Sequence, residues 1–104
     1  MKVELTFGDR LYLLMSVPPQ EGNFVTIKTI REIRQKIEFS EEEILKYEIK
    51  SEADTVSWKE NVEQEYEFGE VAVGIIMSAF KKIDDDGKVT IQMIPLFDKF
   101  GYTS

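Results

Sequence analysis

The stretch Phe39-Ser40-Glu41-Glu42-Glu43-Ile44-Leu45-Lys46-Tyr47-Glu48-Ile49-Lys50-Ser51-Glu52-Ala53-Asp54-Thr55-Val56-Ser57-Trp58 changes its period midway. It opens as a helix start. Ser40 can accept from the backbone N–H of Glu43, and the Glu43 carboxylate can reach back to the N–H of Ser40. Phe39 stands ahead as a hydrophobic staple. Three carboxylates in the first turn suit the positive end of the helix dipole. From Tyr47 onward Tyr47, Ile49 and Ser51 alternate with Glu48 and Lys50, and Thr55 to Trp58 are β-formers. With Glu52-Ala53-Asp54 as the turn, this half reads as a β-hairpin. A short capped helix running straight into a hairpin makes the chain α+β.

Upstream the pattern is helical. Thr6 with Asp9 three residues on is a start signal, and Phe7, Leu11, Leu14 and Met15 follow at helical spacing, widened by Leu13. Pro18-Pro19 ends that helix. Asn23 can cap a second, on which Phe24, Ile27, Ile30, Ile33 and Ile37 form one stripe. Downstream, Tyr66 and Phe68 alternate with Glu65 and Glu67 as a third strand beside the hairpin. Val71, Ala72, Ile75, Ile76, Ala79, Phe80 and Ile83 then make a long, wide-striped helix, expected to be the most buried, with Gly87 at its end. Val89–Ile94 fits a strand or a helix equally, and a helix is expected over Leu96–Phe100. The expected architecture is one mostly helical α+β domain spanning residues 1–104, with a small antiparallel hairpin or three-stranded sheet.

Composition narrows the chemistry. Of 104 residues 42% are hydrophobic and 32% charged, which suits a globular chain rather than a disordered one. There is no cysteine and no histidine. Disulfides, thiol nucleophiles, Cys/His zinc sites and an imidazole base are therefore absent. The net charge of −7 is unevenly placed: residues 1–37 carry +2, residues 38–70 carry −9, and the remainder is neutral. A generic nucleic-acid binder concentrates the opposite sign. The apolar run Leu11–Val17 is too short for a membrane span and lacks a cleavage pattern, so a cytoplasmic protein is expected.

No catalytic motif appears. The Lys82–Met93 window has Gly87 at the sixth position of a calcium loop but Met93 where a bidentate Glu belongs, so no metal is expected. There is no Gly-rich phosphate loop and no cofactor signature. The sequence is read as a non-enzymatic, protein-binding one. Its expected surface is the acidic hairpin region: Tyr47, Glu48, Glu52, Asp54, Trp58, Glu63, Glu65, Tyr66 and Glu67, directed at a basic partner. An alternative is a small-molecule or nucleotide-binding oligomer using Lys28, Arg31 and Arg34 for phosphate. Homo-oligomerisation also suits a chain of this size. A winged-helix DNA binder is disfavoured, because its recognition helix would carry Glu41, Glu42 and Glu43 toward phosphates.

The order of Pro-Gln-Glu-Gly-Asn-Phe (Pro19 to Phe24), an Ile-rich helix, Phe39-Ser40-Glu41-Glu42-Glu43-Ile44, a Trp58 strand, a Lys-Val-Thr segment and Phe97-Asp98-Lys99-Phe100 resembles small proteins of unknown function encoded in bacteriophages and prophages. The resemblance implies a bacterial cytoplasmic setting and an accessory role, and carries no catalytic residues.

Overall fold

Thr6 turns a strand into a helix at the start of the chain. The computed structural model describes residues 1–18, 21–52 and 55–103. Lys2–Thr6 is strand β1, an element the sequence analysis did not anticipate, and Phe7–Ser16 is helix α1. The Thr6 hydroxyl accepts from the N–H of Asp9 at 3.1 Å, and the Asp9 carboxylate accepts from the N–H of Thr6 at 3.1 Å. That reciprocal pair satisfies donors the first helical turn leaves open. The buried face of α1 is Phe7, Arg10 and Leu13, joined by Asp9, while Met15 is 61% exposed. The expected Leu11–Met15 stripe is thus rotated. Arg10 can take a core position because its charge is met there, as shown below.

Helix α2 is Phe24–Ile37, capped by Asn23, whose side-chain oxygen accepts from the N–H of Thr26 at 2.9 Å. Ile30, Ile33 and Ile37 are buried, whereas Phe24, the first residue of the stripe, is exposed. Helix α3 is Glu41–Lys46, with the Ser40/Glu43 box formed as expected. Its apolar residues do not pack inward: Leu45 is 80% exposed.

The hairpin forms from β2, Lys50–Glu52, and β3, Thr55–Ser57, with Ser51 opposite Val56. The expected turn residues Ala53 and Asp54 lie outside the described residues. Tyr47, expected in the first strand, instead closes α3. There the N–H of Ile49 donates to the carbonyl of Ile44 at 3.1 Å, and Glu48 adopts φ of 51°. This is a six-to-one helix ending with glutamate where glycine normally sits. Glu48→Gly is expected to stabilise the fold by about 0.5–1 kcal/mol by relieving the left-handed strain, read as a raised denaturation midpoint. An unchanged or lowered midpoint would contradict that account.

The third strand exists, but it pairs elsewhere. β4, Glu63–Glu67, runs antiparallel to β1 in a separate two-stranded sheet, not beside the hairpin. Val3 and Leu5 of β1 face inward opposite Tyr66 and Gln64, and a strand with two buried residues needs a partner to satisfy its backbone. β4 supplies it, and the ladder continues through the N–H of Phe68 to the carbonyl of Met1 at 2.8 Å.

Helix α4 is Glu70–Asp85. Only Ile76 and Phe80 are fully buried, and Val71 is exposed, so it is not the most buried helix. Ala72, Ile75, Ala79 and Ile83 of its wide stripe pack partly buried against the core, and several of them also line a groove with Val17 and Ile30. It ends as Gly87, at φ of 67°, donates to the carbonyl of Asp84 and Lys88 donates to that of Ile83. Val89–Ile94 resolves as a 3₁₀ turn over Ile91–Met93 that leads into helix α5, Ile94–Lys99. Pro95 is tolerated in the first turn of α5, where its missing N–H is not needed. The core joins Leu5, Leu13, Ile33, Phe68, Phe80 and Leu96 among others. The fold is α+β and mostly helical. Among the described residues no helix is long and apolar enough to cross a membrane.

Candidate functional site

The aromatic residues expected to form a surface patch are gathered around Arg10. The Arg10 guanidinium lies over the rings of Phe39 at 4.6 Å, Phe7 at 5.3 Å and Tyr66 at 5.6 Å. Tyr47 and Trp58 meet the ring of Phe7 edge-on at 5.2 and 6.1 Å. Tyr47, Trp58 and Tyr66 are each half-buried, so part of every ring packs inward and part remains available. Burial pushes the Tyr66 phenol above its ordinary range, and Glu43 adds to this against the opposing Arg10.

The expected acids divide between two places. Glu48 and Glu52 are exposed near or on the hairpin. Glu63, Glu65 and Glu67 occupy the outer face of β4, because alternation puts the half-buried Tyr66 on the side of Val3 and Leu5, a side Gln64 shares while staying exposed. The expected single hairpin surface is therefore corrected to two separate sheets. Pairing with β1 adds Glu4 and Lys2 to the outer face: Glu4 stands directly opposite Glu65, and Lys2 opposite Glu67. Glu4 is pushed above the usual carboxylate range, first by a hydrogen bond with Glu63 and its charge, then by burial and by Glu65.

One cation reaches this cluster from α5. Lys99 donates to the Asp9 carboxylate at 2.6 Å and to Glu63 at 3.1 Å. Partial burial works against its charge, but the two carboxylates outweigh it and hold the ammonium above its ordinary pKa. Beside this bridge lies a cavity of about 710 Å³, lined by Trp58, Tyr12, Asp9 and Lys99 together with apolar side chains. Sequence reasoning missed Glu4, Asp9 and Lys99 as members of the site. A readable signal was present for Glu4, in the in–out alternation of Lys2, Val3, Glu4 and Leu5.

The phosphate alternative is not assembled as expected. Arg34 donates to the carbonyls of Leu14 at 2.8 Å and Val17 at 3.0 Å, serving the open end of α1. Lys28 and Arg31 remain exposed on α2 without it. Among the described residues no three Asp or Glu side chains converge as metal ligands. Comparison with family models, with curated proteins and with solved structures finds no match.

Proposed function

We propose that the protein is a non-enzymatic binding protein that engages a basic protein partner through the outer face of the β1–β4 sheet. The observation that carries this reading is Glu4 directly across from Glu65. Like charges at that position destabilise a strand pair, where an opposite pair or two neutral residues would not. The free protein bears this cost, and a cationic partner relieves it. Glu63 and Glu67 extend the same face, while Lys2 and Lys99 offset it only in part. Such a face steers a basic surface toward it within about a Debye length, roughly 8 Å at physiological salt. The half-buried ring of Trp58, which lines the same cavity as Lys99, supplies apolar area at the edge of the docked state. An accessory role in a bacterial cytoplasm, as a bacteriophage-encoded protein would have, is part of the same proposal.

The test compares two variants of equal net charge. Glu4→Gln/Glu65→Gln neutralises the face, and Asp85→Asn/Asp86→Asn neutralises two acids at the end of α4. A lysine-rich peptide is expected to bind the wild type in a salt-sensitive manner. Binding should weaken roughly tenfold in the first variant and far less in the second. The first variant should also be more stable than wild type, since it removes the cross-strand repulsion. Equal loss in both variants would reduce the effect to net charge and overturn the proposal.

A further inference from the structure

The β1–β4 sheet has only two strands, so the far side of β4 is an open edge. At the end of the ladder the Met1 nitrogen donates to the carbonyl of Phe68 at 2.7 Å, and the N–H of Phe68 donates to the carbonyl of Met1 at 2.8 Å. That reciprocal pair fixes the alternation along both strands. Val3 with Tyr66 and Leu5 with Gln64 are the next hydrogen-bonded pairs. Glu63, Glu65 and Glu67 fall on the non-bonded pairs, so their N–H and C=O groups point away from β1. The same rule sends the N–H of Thr6 outward on the β1 side, where Asp9 meets it at 3.1 Å. On the β4 side the Lys36 ammonium meets the carbonyl of Glu67. Among the described residues nothing bonds the outward backbone groups of Glu63 and Glu65. Glu63, Gln64, Glu65 and Glu67 are all exposed along this edge.

We infer that the edge of β4 binds its partner by strand addition, taking an extended segment with Lys or Arg at every second position. The inference rests on the reading of the outer sheet face as a docking surface for a basic protein, and names the form in which that protein is held. An antiparallel added strand exchanges backbone hydrogen bonds with Glu63 and Glu65. Residues directly opposite one another in such a pair share a face, so the segment's residues across from Glu63 and Glu65 stand beside their carboxylates. Those carboxylates favour cations there. Among the described residues neither Glu4 nor Glu65 enters an ion pair, and Glu63 shares Lys99 with Asp9. The residues between fall on the other face, the side of Tyr66, and are apolar. Lys36 closes the edge at Glu67, so the added strand runs across Glu63 and Glu65. An acidic strand is refused, because like charges directly opposite destabilise a pair. A second copy of β4 falls under that rule, since it sets glutamate against glutamate.

The experiment uses a short capped peptide of alternating lysine and valine, in two N-methylated forms of equal charge. When the lysines stand across from Glu63 and Glu65, their own N–H groups point at β4 and those of the valines point to solvent. Methylation of the lysine backbone nitrogens therefore removes the bonds to β4, and methylation of the valine ones spares them. The valine-methylated peptide is expected to bind about tenfold more tightly than the lysine-methylated one, the worth of a few backbone hydrogen bonds. In nitrogen-edited NMR spectra it should slow amide hydrogen exchange at Glu63 and Glu65 more than at Gln64 and Tyr66, whose N–H groups already bond β1. Equal affinity of the two forms would overturn strand addition and leave the sheet-face reading in place. Binding by neither form, nor by the unmethylated peptide, would remove both.

Discussion

Replacing Arg10 with alanine should destabilise the fold by about 3–5 kcal/mol, the range for removing one partner of a buried ion pair. In a domain of this size that lowers the melting temperature by about 12 °C or more. Arg10 is 2% exposed. Its Nε donates to the carbonyl of Ile37 at 2.9 Å, one Nη2 hydrogen bond goes to the carbonyl of Glu38 at 2.8 Å, and both Nη atoms reach the Glu43 carboxylate at 2.7 and 3.0 Å. Alanine leaves two carbonyls at the end of α2 and a carboxylate without their donors. Lysine is expected to rescue little, because a point charge cannot serve three acceptors held in a fork. Arg10→Met combined with Glu43→Leu should recover much of the loss, since the pair's main energetic weight lies in not stranding either charge. Denaturant unfolding with an unchanged slope is the measurement. A loss under 1 kcal/mol for Arg10→Ala would mean that water replaces the missing donors.

The same pair sets an acid limb. The hydrogen bonds from Arg10 pull the Glu43 carboxyl down to about 2 from an ordinary 4.5, helped by Ser40 and opposed by burial. A depressed folded-state pKa contributes stability that is complete above pH 4.5 and is lost as pH falls toward 2. Stability of the wild type should drop across that window, and Glu43→Gln should flatten it. Glu4 acts in the opposite sense. Its raised pKa favours the folded state only while it is protonated, and that advantage disappears as pH rises.

Phe80→Ala should be comparably damaging, about 3–5 kcal/mol, the cost of deleting a buried ring. Phe80 is fully buried. Its ring stacks on Phe97 at 4.2 Å and meets Phe100 at 5.7 Å and Tyr102 at 6.1 Å edge-on. These contacts attach α5 and the turn after it to α4. Gly101, at φ of 72°, turns the chain back so that Tyr102 covers Phe97 and its hydroxyl donates to Asp84 at 2.8 Å. That bond to a carboxylate pushes the Tyr102 phenol up to about 12. Phe80→Ala is therefore expected to lower the melting temperature and expose the Tyr102 hydroxyl to titration at lower pH, followed by ultraviolet difference absorbance. A variant that melts like wild type would show that α5 docks without this ring.

What the sequence made legible was local. Thr6 with Asp9, Asn23, Ser40 with Glu43, and Gly87 each act within four residues, and each cap forms. The hairpin also followed from its own alternation. The misses share a cause, which is sequence distance. β1 offers only two inward residues, and its partner β4 lies beyond three helices and a hairpin. Arg10 reads as surface until Ile37, Glu38 and Glu43 fold against it. The acids of β4 were visible, but Glu4 opposite them was not, because only register brings the two together. Leu45 and Phe24 stood on apolar stripes yet lie exposed, since a six-residue helix and a helix's first turn reach past the edge of the core.

The β1–β4 pairing has a kinetic side. Lys2 must meet Glu67, so β1 leaves the ribosome long before its partner exists. At ordinary synthesis rates that interval is on the order of 3–13 s. During it Val3 and Leu5 sit in an unpaired strand, a state open to pairing with other nascent chains. Lys2 and Glu4 flank those two residues with charge, and β4 arrives with a glutamate at every second position. Charges so interleaved discourage strand-to-strand aggregation. The carboxylates that burden the finished sheet can thus also guard the chain while that sheet is incomplete.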